Sequence, residues 1–127
     1  AADVIVLKPT PLGGVRRSLG LARRLALPTT ISGALDSSVG LATGLALAAD
    51  LDDEPLACGF GTGRLLAADL TAETSVPAHG RLSVVRTSLA PDPERLAAAA
   101  ARLPAERVAW WHARLDRALA HDRSAGA

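Results

Sequence analysis

The run Asp3-Val4-Ile5-Val6-Leu7-Lys8-Pro9 sets four β-favouring aliphatic residues side by side with no polar face for water, which predicts a strand buried on both faces. Pro9 and Pro11 end the ladder because neither has a backbone N–H, and Gly13-Gly14 allow the turn into a helix beginning near Val15. In that helix Val15, Leu19, Ala22 and Leu25/Ala26 fall on one face while Arg16-Arg17 and Arg23-Arg24 recur on the other, predicting one packed side and one wet side. Leu27-Pro28 closes it, and Thr29 to Ser32 predicts a second short strand. Asp36 or Ser37 can then cap the helix Val39 to Ala49 by accepting from its free N–H groups. That helix is apolar nearly all round, with Gly40 and Gly44 one turn apart, so other elements should press closely on more than one of its sides.

The same alternation continues once more. Asp50 to Glu54 reads as a solvated acidic turn, since contiguous carboxylates lack the spacing and glycine of a calcium loop. Pro55-Leu56-Ala57-Cys58 predicts a third strand, followed by the glycine-rich turn Gly59-Phe60-Gly61-Thr62-Gly63 and a helical start over Arg64 to Asp69. Neither the Walker pattern nor the dinucleotide fingerprint is present in that turn, so it reads as a substrate-facing loop ahead of a phosphate site. From Thr71 the character changes: a turn at Val76 to Gly80, a short exposed strand over Arg81 to Val85, a helix from Pro91-Asp92-Pro93 through Leu103, and a last helix from Ala105 to about His121. In the last helix Val108, Trp111, Leu115 and Leu119 share a face, making Trp111 the expected packing anchor and Trp110 its partly exposed neighbour. The expected organisation is therefore 1–70 and 71–127.

Strand, helix, strand, helix, strand with short connections implies parallel pairing with crossovers. In parallel α/β folds the carboxyl ends of the strands line the site, so Lys8, Ser32 and the Gly59 loop should converge.

Composition sharpens the reading of Lys8. Of fourteen basic residues it is the only lysine, kept where a strand meets a loop. A lysine there is a compact cation able to face a developing negative charge or to act as an acid or base, which arginine does not do. A plain surface lysine is the alternative, and position and residue type favour chemistry. The net charge of +1 and the near absence of aromatic residues, two Trp and one Phe, argue against nucleic-acid binding. No stretch is long and apolar enough to span a membrane. The single cysteine, Cys58, excludes an intrachain disulfide, fits a cytoplasmic protein, and reads as a small core residue rather than a nucleophile. His79, His112 and His121 are scattered without ligand spacing, so no residue of this chain is expected to hold a metal.

Three blocks, Asp3 to Pro9 with Leu12-Gly13-Gly14, Ile31-Ser32 with Leu35-Asp36-Ser37-Ser38-Val39-Gly40-Leu41, and Cys58-Gly59-Phe60-Gly61-Thr62, resemble the carboxyl-terminal half of the o-succinylbenzoate synthase family. This is an enolase-superfamily group of menaquinone biosynthesis, and Ala109-Trp110-Trp111-His112 near the end is similar to its actinobacterial members. The resemblance implies an α/β fold in which the three strands are the sixth to eighth of an enolase-type (β/α)7β TIM-like barrel, with residues after about Thr71 forming a helical tail toward the capping domain. It implies dehydration of 2-succinyl-6-hydroxy-2,4-cyclohexadiene-1-carboxylate to o-succinylbenzoate through a Mg2+-stabilised enediolate. Lys8 would then stabilise the intermediate, Ser32 would contact the succinyl portion, and Gly59 with Phe60 would offer backbone and apolar contact to it. Gly33 stands where the family often has a second serine.

The strands that would carry the metal ligands and a second lysine are not in these 127 residues, so the chain is expected to be inactive alone and to require a missing amino-terminal barrel half or a partner chain. N-acylamino acid racemase or dipeptide epimerase activity of the same superfamily, and a non-catalytic half-barrel that binds a small carboxylate, are the alternatives. A flavodoxin-like phosphate binder is disfavoured by the lack of a nucleotide motif.

Overall fold

Residues Ile5–Leu7 form β1 and Thr29–Ile31 form β2, paired in parallel with Ile5 opposite Thr29, Val6 opposite Thr30 and Leu7 opposite Ile31. The computed structural model describes residues 2–54, 56–84 and 90–125, with 122–125 in backbone only. They fall into two compact units, Ala1–Asp92 and Pro93–Ala127. The first is a mixed α/β arrangement with a small parallel sheet; it extends past position 70, since the N–H of Asp92 donates to the carbonyl of Leu70 at 2.7 Å.

Between the strands the chain makes two helices, where the sequence predicts one. The prolines that end the ladder start a single turn, α1 (Pro9–Leu12), because a proline's fixed φ suits the first helical position, where no N–H is required. Gly13 closes it at φ 89°, and the N–H groups of Gly13 and Gly14 return to the carbonyls of Thr10 and Pro9. The next helix, α2 (Val15–Leu25), begins where expected. Its innermost residues are Ser18 and Ala22, flanked by partly buried Val15, Leu19 and Leu21, while Leu25 is exposed. Ser18 is tolerated there because its hydroxyl donates to the Gly14 carbonyl at 2.9 Å.

The third helix, α3 (Ser38–Ala49), packs against α1, α2 and β2. Its two glycines are where neighbours come closest. A Cβ on Gly40 would lie 2.8 Å from the Cβ of Asp36, and one on Gly44 would lie 2.7 Å from Cε1 of Phe60. The core consists of Leu7, Ala22, Ile31, Leu41, Leu45, Leu47 and Phe60, all supplied by the helices, the Phe60 turn and one face of the sheet.

The strand Val4 to Leu7, expected to be buried on both faces, is covered on one face only within this chain. Leu7 is buried, but Val4 and Val6 are 44% and 59% exposed. A strand points alternate side chains to opposite faces, and here helices cover only the face of Ile5, Leu7 and Ile31.

The third predicted strand is reduced to an isolated bridge between Ser32 and Gly59, and its first residue, Pro55, lies outside the described residues. Leu56 N–H donates to Thr29 O and Gly59 N–H to Ile31 O. Three steps on one side thus face two on the other, a bulge that interrupts regular pairing. After it comes a 3-10 helix over Gly61–Leu65 instead of an α-helix reaching Asp69. The turn expected at Val76 to Gly80 is present, Ala78 and Arg81 exchanging both backbone hydrogen bonds around His79 and Gly80 at φ 50° and 72°, but beyond that bridge residues 82–84 form none of the strand expected from Arg81. Val85 lies outside the described residues.

The second unit contains α4 (Pro93–Ala100) and α5 (Ala105–Ala125). Trp110 and Trp111 meet edge to face at 4.8 Å, and the Arg114 guanidinium lies 5.7 Å and 6.0 Å from their ring centres. Trp111, expected as a packing anchor, is 53% exposed in this chain, and Leu115 and Leu119 beside it are also exposed.

Gly44→Ala should destabilise the first unit by about 1–3 kcal/mol, the usual cost of forcing a methyl into a filled core. Urea unfolding followed through the amide NMR signals of α3 measures this; an unchanged midpoint would mean that Phe60 moves aside freely.

Candidate functional site at the carboxyl ends of the strands

The register of β1 and β2 decides which side chains meet. Continued by one residue it sets Lys8 opposite Ser32, and the Ser32 N–H does donate to Leu7 O at 2.9 Å. Side chains alternate, so Lys8 and Ser32 share the open face with Val4, Val6 and Thr30. The Lys8 ammonium donates to Ser32 Oγ at 3.2 Å and to the Gly33 carbonyl at 2.5 Å.

Gly59 completes the group from the adjoining bulged segment. A Cβ placed on it would lie 3.0 Å from Ser32 Oγ, so only glycine leaves the serine hydroxyl this position. Its own N–H and C=O are both engaged, by Ile31 O and Gly33 N–H. Lys8, Ser32 and Gly59 are thus brought together, whereas the Phe60 ring is turned away from them into the core, 6% exposed and against Gly44. What Phe60 contributes from its side chain is an anchor for the loop.

The β2–α3 loop wraps this group. Leu35 takes a left-handed conformation, φ 64°, which costs a non-glycine residue on the order of 1 kcal/mol. The Asp36 carboxylate offsets it, accepting from Ala34 N–H at 2.7 Å through Oδ2 and from the Thr10 hydroxyl at 3.2 Å through Oδ1. Thr62 Oγ1 and Asp36 Oδ2 each lie 3.4 Å from where a Cβ on Gly33 would sit.

Neither residue expected to cap α3 does so. Asp36 holds the loop instead, and Ser37 at the N-cap makes no side-chain cap bond. The free N–H of Ser38 goes to Asp69, which accepts it at 3.0 Å together with the Ser38 hydroxyl at 2.5 Å and Leu70 N–H at 2.7 Å. Ser38 Oγ in turn accepts from Ser75 N–H at 2.7 Å. Burial would raise the carboxyl's pKa, but the hydrogen bonds from Ser38, Leu70 and Thr71 outweigh it, and Asp69 sits below the usual carboxylate range. Sequence reading missed this residue. The available signal was an aspartate flanked by Ala67-Ala68 and Leu70 rather than by other charges.

Among the described residues, the remaining polar groups do not assemble a second site. Asp52 of the acidic turn forms a bidentate pair with Arg23 at 2.8 Å and 2.9 Å; the hydrogen bond from the guanidinium lowers the carboxyl's pKa and the same bond raises that of the arginine. Both side chains are more than half exposed, so screening limits their worth. A groove lined by Leu19, Arg23, Leu27, Thr29, Asp52 and Leu56 lies at the amino ends of the strands, opposite Lys8. Cys58 is a partly buried free thiol packed against the core. Among the described residues, no group of three or more His, Cys, Asp or Glu side chains could hold a metal ion, and no helix is long and apolar enough to cross a membrane.

A parallel βαβ unit with a lysine and a serine at the carboxyl ends of its strands has the layout on which α/β enzymes build their sites. No family model matches the chain. Individual relatives do. The chain is 49% identical over 111 residues to o-succinylbenzoate synthase of Mycobacterium tuberculosis, covering 87% of this chain and 32% of that protein. It is 50% identical over 117 residues to the synthase of Thermobifida fusca, covering 87% and 36%, and 49% identical over 120 residues to that of Mycolicibacterium smegmatis, covering 94% and 35%. Over 87–94% of its length the chain is similar to o-succinylbenzoate synthases of actinobacteria, and it spans about a third of the length of the curated relatives it matches.

Asp69→Asn should cost about 1–3 kcal/mol at pH 7, because a buried charge-assisted acceptor is lost. The folded pKa lies below the unfolded value of about 3.9, so the carboxylate's contribution is complete above that value and disappears as pH falls through the folded one. Melting curves from pH 7 to 2 should therefore converge for wild type and variant at the acid end; a constant gap would show that folding leaves the Asp69 pKa unshifted.

Proposed function

We propose that this chain supplies one side of the active site of an o-succinylbenzoate synthase, a lyase that dehydrates 2-succinyl-6-hydroxy-2,4-cyclohexadiene-1-carboxylate to o-succinylbenzoate. In this reading β1, β2 and the 56–59 segment are the sixth, seventh and eighth strands of the barrel, residues 71–127 run back toward the capping domain, and the open face bearing Val4 and Val6 looks into the barrel interior. The observation that carries it is the Lys8 ammonium, 3.2 Å from Ser32 Oγ at the carboxyl ends of two parallel strands.

Removing the proton next to the substrate carboxylate leaves negative charge spread over the carboxylate and ring, and the same base then returns that proton to the departing hydroxyl, which leaves as water. A fixed ammonium beside that charge lowers the barrier because it is already oriented when the charge develops. Lys8 is held for this by Ser32 Oγ and Gly33 O. The Ser32 hydroxyl can also donate to an oxygen of the succinyl arm, and Gly59 contributes by leaving space beside that hydroxyl.

The family's divalent cation, Mg2+, supplies charge neutralisation at the substrate carboxylate, but the described residues offer no ligand cluster for it. Its ligands, and the base, are assigned to the part of the enzyme outside this chain, which has no lysine but Lys8. The isolated chain is read as a cytoplasmic fragment that binds a small carboxylate without turning it over.

In a synthase-length protein completed with the remainder of the Thermobifida fusca relative, Lys8→Ala should lower kcat roughly 10²- to 10³-fold, the range for losing one preorganised donor, with a smaller change in KM. Lys8→Arg should not restore it, because the guanidinium fork does not fit a site shaped for a point charge. Steady-state dehydration kinetics decide this, and near-normal turnover by Lys8→Ala would remove the proposal.

A further inference from the structure

We infer that Asp36 is a positioning residue for Lys8, acting as a clasp between the two connections that flank the ammonium. The inference rests on the reading of Lys8 as the charge-stabilising cation and adds what holds it in place.

Lys8 is followed directly by α1, and the carbonyl it grips belongs to Gly33 at the start of the β2–α3 loop. β1 and β2 fix the lateral spacing of Lys8 and Ser32, but the ladder ends there and no backbone hydrogen bond between α1 and the loop extends it. The side chain spanning that gap is Asp36. Oδ1 accepts from Thr10, two residues beyond Lys8, and Oδ2 accepts from Ala34 N–H, one residue beyond Gly33. One rigid carboxylate therefore sets the separation between the segment that carries the ammonium and the carbonyl that receives it.

Two features fix the carboxylate itself. Asp36 lies against Gly40 so closely that a methyl there would come within 2.8 Å of its Cβ, so α3 forms a wall behind it. The left-handed Leu35 turns the loop back so that Asp36 reaches the Ala34 N–H preceding it. The adjoining Gly33 leaves Oδ2 uncrowded. A residue serving only to cap α3 would need none of this, and capping falls to Asp69.

Lys8 is the single lysine, so lysine-selective 15N labelling gives one Nζ resonance from this chain without assignment. In the wild type that resonance should be protected from exchange and displaced from the position of a free ammonium. Asp36→Ala should move it toward the free position with the amide spectrum of β1 and β2 retained. Thr10→Val, which cuts one arm and leaves the Ala34 bond, should move it part of the way, and Thr10→Ser should recover most of that shift. In the synthase-length protein Asp36→Ala should lower kcat about tenfold with little change in KM, the scale expected when a reacting group is misplaced by a fraction of an ångström. If Asp36→Ala unfolds the chain, the Thr10 pair alone decides. An Nζ resonance unmoved in Asp36→Ala, or in Thr10→Val where that must stand in, overturns the clasp whatever the activity of Lys8→Ala. Full activity of Lys8→Ala overturns the proposed function and leaves the resonance to judge the clasp by itself.

Discussion

Parallel pairing of β1 and β2 in a single register is the constraint on which everything else at the site depends. Side chains in a strand repeat with period two, so a slip of one residue would send Lys8 to the helix-covered face and leave Ser32 without it. The register is specified by the opposite face. Leu7 and Ile31 are buried against α2 and α3, and the slip that would misplace Lys8 would also pull Leu7 from the core beside Ile31. Hydrophobic burial on one side of a thin sheet thereby positions a charge on the other.

Helix α3 converts that register into a defined loop. Its closest contacts are made by small residues, and each of its glycines admits a specific partner, Asp36 at Gly40 and Phe60 at Gly44. A helix so apolar has no amphipathic preference to orient it, so polar contacts at its start take on that task. Ser38 bound to Asp69 ties its first turn to a segment about thirty residues later, and Ser75 joins the same knot. Loop, helix start and site are therefore held by two carboxylates of similar sequence appearance and different work.

Much of this was legible in the residues. The aliphatic run before Lys8, the start of α2, the apolar α3 and the approach of Lys8 to Ser32 all follow from periodicity and turn chemistry, because those signals are local. The failures share a cause in tertiary context. Four aliphatics carry no mark of which face this chain itself covers, and Val4 and Val6 lie on the face it leaves open. Pro9 and Pro11 read as stops, although the geometry that ends a strand also begins a helical turn. Phe60 was expected to face a ligand, and the gap at Gly44 that draws its ring inward lies sixteen residues earlier. Long-range caps such as Asp69 leave almost no local trace.

The placement of the aromatic residues divides the molecule in a different sense. Both tryptophans lie on α5 in the second unit, there is no tyrosine, and the first unit has only Phe60. Tryptophan fluorescence therefore originates in the second unit, and the first, which bears the lysine, the parallel strands and the buried aspartate, contributes only one weakly emitting phenylalanine. A chain that looks fully folded by tryptophan emission could have lost its sheet, and one that looks molten could have kept it.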